Sequence, residues 1–271
     1  YYHANYFASQ TLETLQYDIP SLQKALDKAD INMLSGFLNA SVGKRSFGTA
    51  LFAGNVNEEG AEDLVNLVDS TFPFSTLPEP QRSRREALEL PLTSAKHKGT
   101  RSGLEIDSKG PNANEDNSAS AFYFQLPSRD VRLTVLAELL ADVVEQPFYD
   151  SLRTKQQLGY IVYAGCRIKE GIPTLLFVAQ SSLLGGQALS ERVADFLYSP
   201  DQLPALLPRL SEGEFAAYKE GIRSKKLEPD QRLTAQAGRF WAEIGLQRPG
   251  EEPVFDRDAR EVAALETISR A

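Results

Sequence analysis

Three prolines lie within the segment 72–80, where each removes a backbone donor and together they prevent regular secondary structure. This segment constrains the fold most, because a stretch without regular structure divides the chain into an N-terminal and a C-terminal part. The chain has 271 residues, which is enough for about two domains. We therefore predict an N-terminal domain that ends near residue 80 and a C-terminal domain that begins near residue 86.

The predicted C-terminal domain alternates between strand and helix patterns. Residues 118–126 partly alternate in polarity, as a half-buried strand does, and 131–144 place apolar side chains on one helical stripe. We expect Pro147 to end that helix and start another that runs to Leu158, where Gly159 stops it. Further strands are predicted over 87–92, 102–107, 160–167 and 174–180, and further helices over 187–197, 212–226, 232–246 and 258–268. This order predicts an α+β fold with an antiparallel sheet packed against helices.

The N-terminal domain is predicted to be mainly helical. Helical patterns cover 5–15, a segment that starts at Pro20, and 58–68, where Asn57 is a candidate N-cap. The short apolar run 46–54 predicts a buried strand.

Charge and composition exclude several classes of function. The net charge of −8 argues against general affinity for nucleic acid or anionic membranes. No apolar run approaches the roughly 18 residues of a membrane span. The single cysteine, Cys166, cannot form an internal disulfide, so we predict a reducing compartment, the cytoplasm.

Metal and nucleophile motifs are absent from the sequence. The two histidines, His3 and His97, do not have the spacing of a metal-ligand pair. There is no His-x-x-Glu-His, no Gly-x-Ser-x-Gly and no Walker loop. Cys166 lies in an apolar, strand-like run, so we expect an inert thiol. The sequence therefore predicts no complete catalytic site.

Arg153 and Tyr160 flank the predicted junction between helix and strand. Residues at such junctions often carry binding chemistry. An arginine fork can bind peptide carbonyls or a carboxylate, and a tyrosine hydroxyl can donate to a developing oxyanion. On spacing alone, a surface arginine and a core tyrosine are the simpler interpretation.

The sequence around this junction resembles a known family. Leu152-Arg-Thr-Lys-Gln-Gln-Leu-Gly-Tyr160-Ile-Val is similar to a Leu-Arg-Thr-Lys-x-Gln-Leu-Gly-Tyr-x-Val signature in the C-terminal half of the insulin-degrading enzyme (insulysin) and pitrilysin family. The resemblance keeps its order over nearly the whole chain. Supporting segments are Ala53-Gly-Asn-Val56, Glu145-Gln-Pro147, Gly165, Gly171, Phe177-Val-Ala-Gln-Ser181, Phe240-Trp-Ala-Glu-Ile244 and Phe255-Asp-Arg-Asp258.

The resemblance implies a pitrilysin/processing-peptidase-like fold. By this likeness, residues 1–80 are the C-terminal part of a third domain, 81–87 are a linker, and 88–271 are a fourth domain truncated at its C-terminus. In this family the N-terminal half holds zinc on a His-x-x-Glu-His helix (the inverzincin arrangement), and the C-terminal half closes over unfolded peptides. The chain would then carry no cofactor, have that N-terminal half as its partner, and be inactive alone. A homodimer is a further candidate assembly.

The resemblance also implies roles for individual residues. Arg153 and Tyr160 match residues that reach into the zinc site, where the arginine orients the substrate backbone and the tyrosine stabilises the tetrahedral intermediate. Tyr149 matches an aromatic residue that lines the pocket beyond the scissile bond. Family members carry a lysine-rich stretch linked to polyanion binding, whereas acids are interspersed here, so an anion site and a solvated helix end remain open. The residues of that candidate anion site are Arg223, Lys225, Lys226 and Arg232.

Two other classes of protein remain open. Regulatory subunits of processing peptidases and core proteins of respiratory complexes share this fold without zinc residues, and they act as interaction modules. A free-standing peptide-binding protein is the third class. Family members occupy the cytosol, mitochondria, peroxisomes and the bacterial periplasm, and of these we predict the cytoplasm.

Overall fold

A computed structural model divides the chain into two compact units. The first unit comprises residues 1–14, 86–228 and 256–271, and the second comprises 15–85 and 229–255. Each unit is therefore assembled from segments that are separated in the sequence. The structure describes residues 1–42, 44–72, 75–89, 103–110, 112 and 114–270. Among these residues, no helix is both long enough and apolar enough to cross a membrane.

The described residues confirm the predicted α+β class. The helices are α1 (Tyr2–Leu12), α2 (Ile19–Leu26), α3 (Ile31–Phe37), α4 (Glu58–Thr71), α5 (Val131–Tyr149), α6 (Gly186–Tyr198), α7 (Leu203–Arg209), α8 (Glu212–Lys226), α9 (Leu233–Leu246) and α10 (Arg257–Glu266). The strands are β1 (Arg45–Ser46), β2 (Ser75–Thr76), β3 (Ser118–Gln125), β4 (Val162–Lys169) and β5 (Ile172–Ser181). Two π-helical segments, Leu38–Val42 and Asp150–Lys155, and a 3₁₀ turn, Glu79–Gln81, complete the regular structure described.

A three-stranded antiparallel sheet lies at the centre of the first unit, in the order β3-β5-β4. The strands β4 and β5 form a hairpin with a two-residue turn. Its turn residues, Glu170 and Gly171, have φ values of 48° and 79°, the left-handed backbone that a type I′ turn requires. The central strand β5 pairs with a neighbour on each side, so its backbone hydrogen-bonding groups are satisfied within the sheet.

Helix α5 packs against one face of this sheet. The Asp130 carboxylate caps its first turn by accepting a 2.9 Å hydrogen bond from the Leu133 amide. Phe148 is fully buried, and its ring centroid lies 5.3 Å from that of Phe177 on β5 and 5.1 Å from that of Phe196 on α6. These edge-to-face contacts add to the free energy of apolar burial. The main core of the first unit therefore lies between α5, α6 and the sheet.

Helix α1 packs against the other face. Tyr123 and Tyr163 point to the side of the sheet opposite Phe177, because they pair with the two neighbours of Phe177 along β5. Asn5 of α1 joins them, since its Nδ2 donates to the Tyr163 hydroxyl at 3.0 Å and its Oδ1 accepts from the Tyr123 hydroxyl. Burial raises the pKa of Tyr123 to about 12, so this hydroxyl stays a donor at neutral pH.

Pro147 does not end a helix, contrary to the prediction. It lies inside α5, and the chain then continues through the π-helical segment Asp150–Lys155. Proline removes one backbone donor, but Phe148 and Leu152 are both fully buried, and their packing holds the helical path across it. The predicted second helix to Leu158 is therefore a wider π turn.

The apolar run 46–54 is not a buried strand, which makes that prediction wrong. Only Ser46 belongs to β1, whose partner is the parallel strand β2. The remaining residues are irregular and mostly exposed. A pair of two-residue strands is too short to order a longer run, so apolar composition alone does not make this segment a strand.

Two further strand predictions are not confirmed. The described part of 87–92 forms only an isolated bridge between Ala87 and Glu13. The described part of 102–107 is irregular. The rest of both ranges, together with His97, lies outside the described residues.

Three helices of the second unit, α2, α3 and α4, begin at side-chain caps, whereas α9 has none. Asp18, Asp30 and Asn57 each accept a hydrogen bond from an amide in the first turn of α2, α3 and α4, respectively. Pro20 lies in the first turn of α2, and Asn57 caps α4, as predicted. None of the described side chains on these three helices is buried, so the second unit has little core of its own.

A buried ion triad joins three helices of the first unit. Lys226 of α8 lies 2.7 Å from the Glu138 carboxylate of α5 and 2.6 Å from the Glu261 carboxylate of α10. Burial opposes the Lys226 charge, but the hydrogen bonds and Coulombic attraction of both glutamates outweigh it and raise the Lys226 pKa above its ordinary value of 10.5. The stabilisation from the Lys226 charge is therefore present up to pH 10.5 as long as the glutamates are ionised, and it is lost as the pH rises through the raised pKa. At acid pH the triad loses its pairs when the carboxylates take up protons, and burial raises the pKa of Glu261 above its usual value.

The variant Lys226→Met should lower the free energy of unfolding by about 3–5 kcal/mol, because it leaves two carboxylates together without their cation. Urea unfolding followed by circular dichroism measures this change. The matched control is Arg223→Met on the same helix, where an exposed contact with Glu220 is lost and no measurable change is expected. Equal losses in the two variants would contradict a special role for the triad.

Candidate functional site

The backbone after α5 turns sharply towards the sheet. The sequence predicts that Gly159 ends the helical path. In the structure the left-handed residue at this point is Gln157, with a φ of 53°. Gly159 meets a different requirement, because a Cβ atom there would overlap the carbonyl oxygen of Gln180 on β5. Glycine therefore allows the segment before β4 to lie directly against the end of β5.

Arg153 is held at this turn by two hydrogen bonds. Its Nε donates to the Tyr149 hydroxyl at 3.1 Å, and its Nη1 donates to the Gly159 carbonyl oxygen at 3.0 Å. Its Cζ lies 4.8 Å from the centroid of the Tyr160 ring, within range of a cation–π contact. The structure thus brings together Arg153, Tyr160 and Tyr149, the three substrate-site residues singled out from the sequence.

The cluster faces solvent with unused donors. Tyr160 is 79% exposed and Tyr149 is 37% exposed, so Tyr160 is not the core tyrosine of the simpler interpretation. In the part of the chain that the structure describes, neither the Tyr160 hydroxyl nor Nη2 of Arg153 has a hydrogen-bond partner. A charged fork and a neutral hydroxyl side by side suit the binding of carbonyl oxygens or a carboxylate.

A cavity of about 380 Å³ opens beside Tyr149. Two of its lining residues, Asp142 and Glu145, are carboxylates three positions apart on α5, so they lie on the same helix face. Burial raises the pKa of Asp142, while Lys225 and Lys226 act in the opposite direction. The lining residues are Asp142, Glu145, Gln146, Tyr149, Val162 and Tyr218.

The residues of the candidate anion site lie in different environments. Lys226 belongs to the buried triad, so two carboxylates already neutralise its charge. Arg223 contacts a glutamate one turn earlier on α8, and Lys225 is exposed. Arg232 precedes α9 in the second unit. The anion site stays a prediction, and Arg223 and Lys225 are its accessible members in the first unit.

The described residues provide neither a metal site nor an activated nucleophile. No group of three histidine, cysteine, aspartate or glutamate side chains among them could hold a metal ion. Burial raises the pKa of the free thiol of Cys166 to about 11, so this thiol is protonated at neutral pH. A protonated thiol is a poor nucleophile. What the described part of the site offers is a set of hydrogen-bond donors.

The sequence of the chain is similar to those of several known proteins. Residues 139–241 match the sequence model of the family described as PQQ synthase PqqF-like, C-terminal lobe domain 4. Over 99% of its length the chain is 26% identical to a nardilysin-like protein of Arabidopsis thaliana and 26% identical to insulin-degrading enzyme of Homo sapiens, covering 25% of each. It is 28% identical to nardilysin of Homo sapiens over 93% of its length, covering 21% of that protein.

The fold is similar to that of a solved relative. A crystal structure of pitrilysin matches 99% of the chain with a TM-score of 0.71 and 19% identity, and the match covers 27% of the pitrilysin chain. The chain spans about a quarter of the length of the curated relatives it matches. From the Arg153–Tyr160 segment and these matches together, we conclude that the chain is similar to pitrilysin, insulin-degrading enzyme and nardilysin, and that its residues 139–241 match a domain of a C-terminal lobe.

Proposed function

We propose that this chain is the C-terminal, non-zinc-binding portion of an insulysin-like zinc metalloendopeptidase. In this role it encloses and orients a peptide substrate, and it supplies Arg153 and Tyr160 to a zinc site in the N-terminal half of the same polypeptide. One observation carries the proposal. Arg153 is fixed by its bonds to Tyr149 and Gly159, and its guanidinium lies over the ring of the exposed Tyr160.

Arg153 suits the orientation of a peptide backbone. Its Nε and Nη1 fix the guanidinium in place, while Nη2 can donate to a substrate carbonyl oxygen. Because the side chain is already held, less conformational entropy is lost when the substrate binds. A peptide bound in this way is placed in a defined position relative to any catalytic group that faces it.

Tyr160 suits a different task in the same reaction. Its hydroxyl is a neutral donor that can form a hydrogen bond to the oxygen that becomes negative during peptide hydrolysis. A donor aimed at developing charge lowers the barrier, because its bond is stronger in the transition state than in the ground state. Arg153, which stacks on the ring, adds a fixed positive charge beside this donor.

These donors do not hydrolyse a peptide bond by themselves. Hydrolysis needs an activated water, and the described residues hold no metal-ligand set. We assign the zinc to the N-terminal half, which fits a chain that spans about a quarter of its relatives. We further propose that residues 1–80 are part of a third domain and 88–271 most of a fourth.

The chain alone should show no peptidase activity, and mixing it with a matching N-terminal half should restore cleavage of a fluorogenic peptide. The reason is that neither half holds both the zinc and the donors. The N-terminal half alone is the control. A mixture that co-elutes in size-exclusion chromatography but remains inactive would contradict the division of the site between two halves.

In the full-length enzyme, Tyr160→Phe should lower kcat by about 10²–10³-fold, the range found for the loss of one oxyanion donor. Arg153→Ala should lower kcat/KM, and Arg153→Lys should recover only part of that loss because the charge remains but the fork is absent. Tyr198→Phe on α6, a half-exposed tyrosine outside the cluster, is the control. Steady-state kinetics with unchanged kcat/KM in all four variants would show that the assigned roles are wrong.

We also propose that the cavity beside Tyr149 binds a substrate side chain. Two carboxylates, Asp142 and Glu145, line it together with two tyrosines. A cationic side chain is the best match, because it can pair with the carboxylates and pack against the aromatic faces.

The double variant Asp142→Asn, Glu145→Gln should therefore raise KM about two- to tenfold for a peptide that places lysine or arginine in the cavity. A peptide with leucine at the same position should be unaffected. The variant Glu191→Gln, on α6 and outside the cavity lining, is the control for a lost surface charge. A uniform change for both peptides would argue against a pocket for cationic side chains.

A further inference from the structure

Ser181 is the last residue of β5, and it is 1% exposed. Its hydroxyl donates to the Leu158 carbonyl oxygen and accepts from the Leu183 and Leu184 amides at 3.0 and 3.2 Å. A serine hydroxyl has one donor and two acceptor sites, so all of them are used. One buried side chain therefore joins the segment before Tyr160 to the loop after β5.

Backbone contacts hold the same segment on either side of Tyr160. The Gln180 amide donates to the Ile161 carbonyl oxygen at 2.8 Å. Gly159 lies so close to the Gln180 carbonyl oxygen that no Cβ atom fits between them. Residues 158–161 therefore follow the end of β5, and the Ser181 hydroxyl is the side-chain contact that fixes the beginning of this path.

The path of residues 158–161 sets the geometry of the two donors. The Gly159 carbonyl oxygen accepts from Nη1 of Arg153 at 3.0 Å, and the Tyr160 ring centroid lies 4.8 Å from the Arg153 Cζ. A displacement of this segment would change both contacts at once. The bond from Nε to Tyr149 alone would leave the guanidinium free to rotate about it.

We propose that Ser181 is a positioning residue for the Arg153–Tyr160 pair. Its hydroxyl fixes the Leu158 carbonyl, and through it the places of Gly159 and Tyr160, without touching substrate. The inference rests on the proposed function, since its first test is peptide hydrolysis by the full-length protein. A serine with only a structural role would contribute to stability and leave the geometry of the donors unchanged.

The first test is a double-mutant cycle in the full-length enzyme. Ser181→Ala should lower kcat by at least about tenfold, because a displacement of about 1 Å at a reacting centre can cost about 10²-fold. The same substitution should have little further effect once Arg153→Ala and Tyr160→Phe are present, since residues that act through one another are non-additive. Ser182→Ala, at the exposed neighbouring serine, is the control. An undiminished kcat, or an equal loss in both backgrounds, would overturn the proposal.

The second test does not depend on activity. Hydrogen–deuterium exchange followed by mass spectrometry should show faster exchange of residues 158–161 in Ser181→Ala and no change in Ser182→Ala. If Ser181→Ala fails to fold, Ser181→Cys keeps a side-chain donor at this position, with a larger and more weakly donating group, and should give a smaller change in the same direction. Unchanged exchange in a folded Ser181 variant would overturn the positioning role. Unchanged kcat/KM in Arg153→Ala and Tyr160→Phe would instead overturn the proposed function.

Discussion

The first unit depends on the burial of β5 on both of its faces. Its odd-numbered side chain Phe177 packs against α5, while the residues on either side of it, Leu176 and Val178, are buried on the face that carries α1. Both edges of β5 are paired, so its backbone is satisfied and its position is fixed by the two neighbouring strands. The last residues of this strand then serve as the surface on which the Arg153–Tyr160 turn rests. A precise arrangement of donors on an exposed loop is possible here because the loop lies against the central strand of the sheet, which is paired along both edges.

The sequence allowed α6, α8 and α10 of the first unit to be predicted close to their observed bounds, because their signals are local, whereas α7 was not predicted. The capping box of Ser211 and Glu214, for example, begins α8 at the predicted residue. Predictions failed where distant contacts decide the conformation. Pro147 remains in a helix because buried neighbours hold it there. The run 46–54 is irregular because the extended sheet that its composition suggested does not form around it.

The candidate site shows the same division between local and distant information. Arg153 and Tyr160 belong to the contiguous motif 152–162, Tyr149 lies three residues before it, and the structure places all three in contact. Ser181 was part of a matching segment, but its bond to Leu158 joins residues 23 positions apart. No local pattern reports such a contact. The sequence predicts Gly159 as a helix stop, whereas its structural constraint is the Gln180 carbonyl oxygen on β5, the second strand of the hairpin that follows.

The division of the chain into two interleaved units has a consequence for synthesis on the ribosome. The segment 229–255, which belongs to the second unit, is translated between α8 and α10 of the first. Lys226 therefore leaves the ribosome well before Glu261, its most buried partner. Until α10 emerges, Lys226 has only Glu138 as a partner, and the apolar surface that Leu265 later covers stays open. Completion of the first unit is thus delayed until α10 has been synthesised, and in that interval the nascent chain is exposed to misfolding and to capture by chaperones.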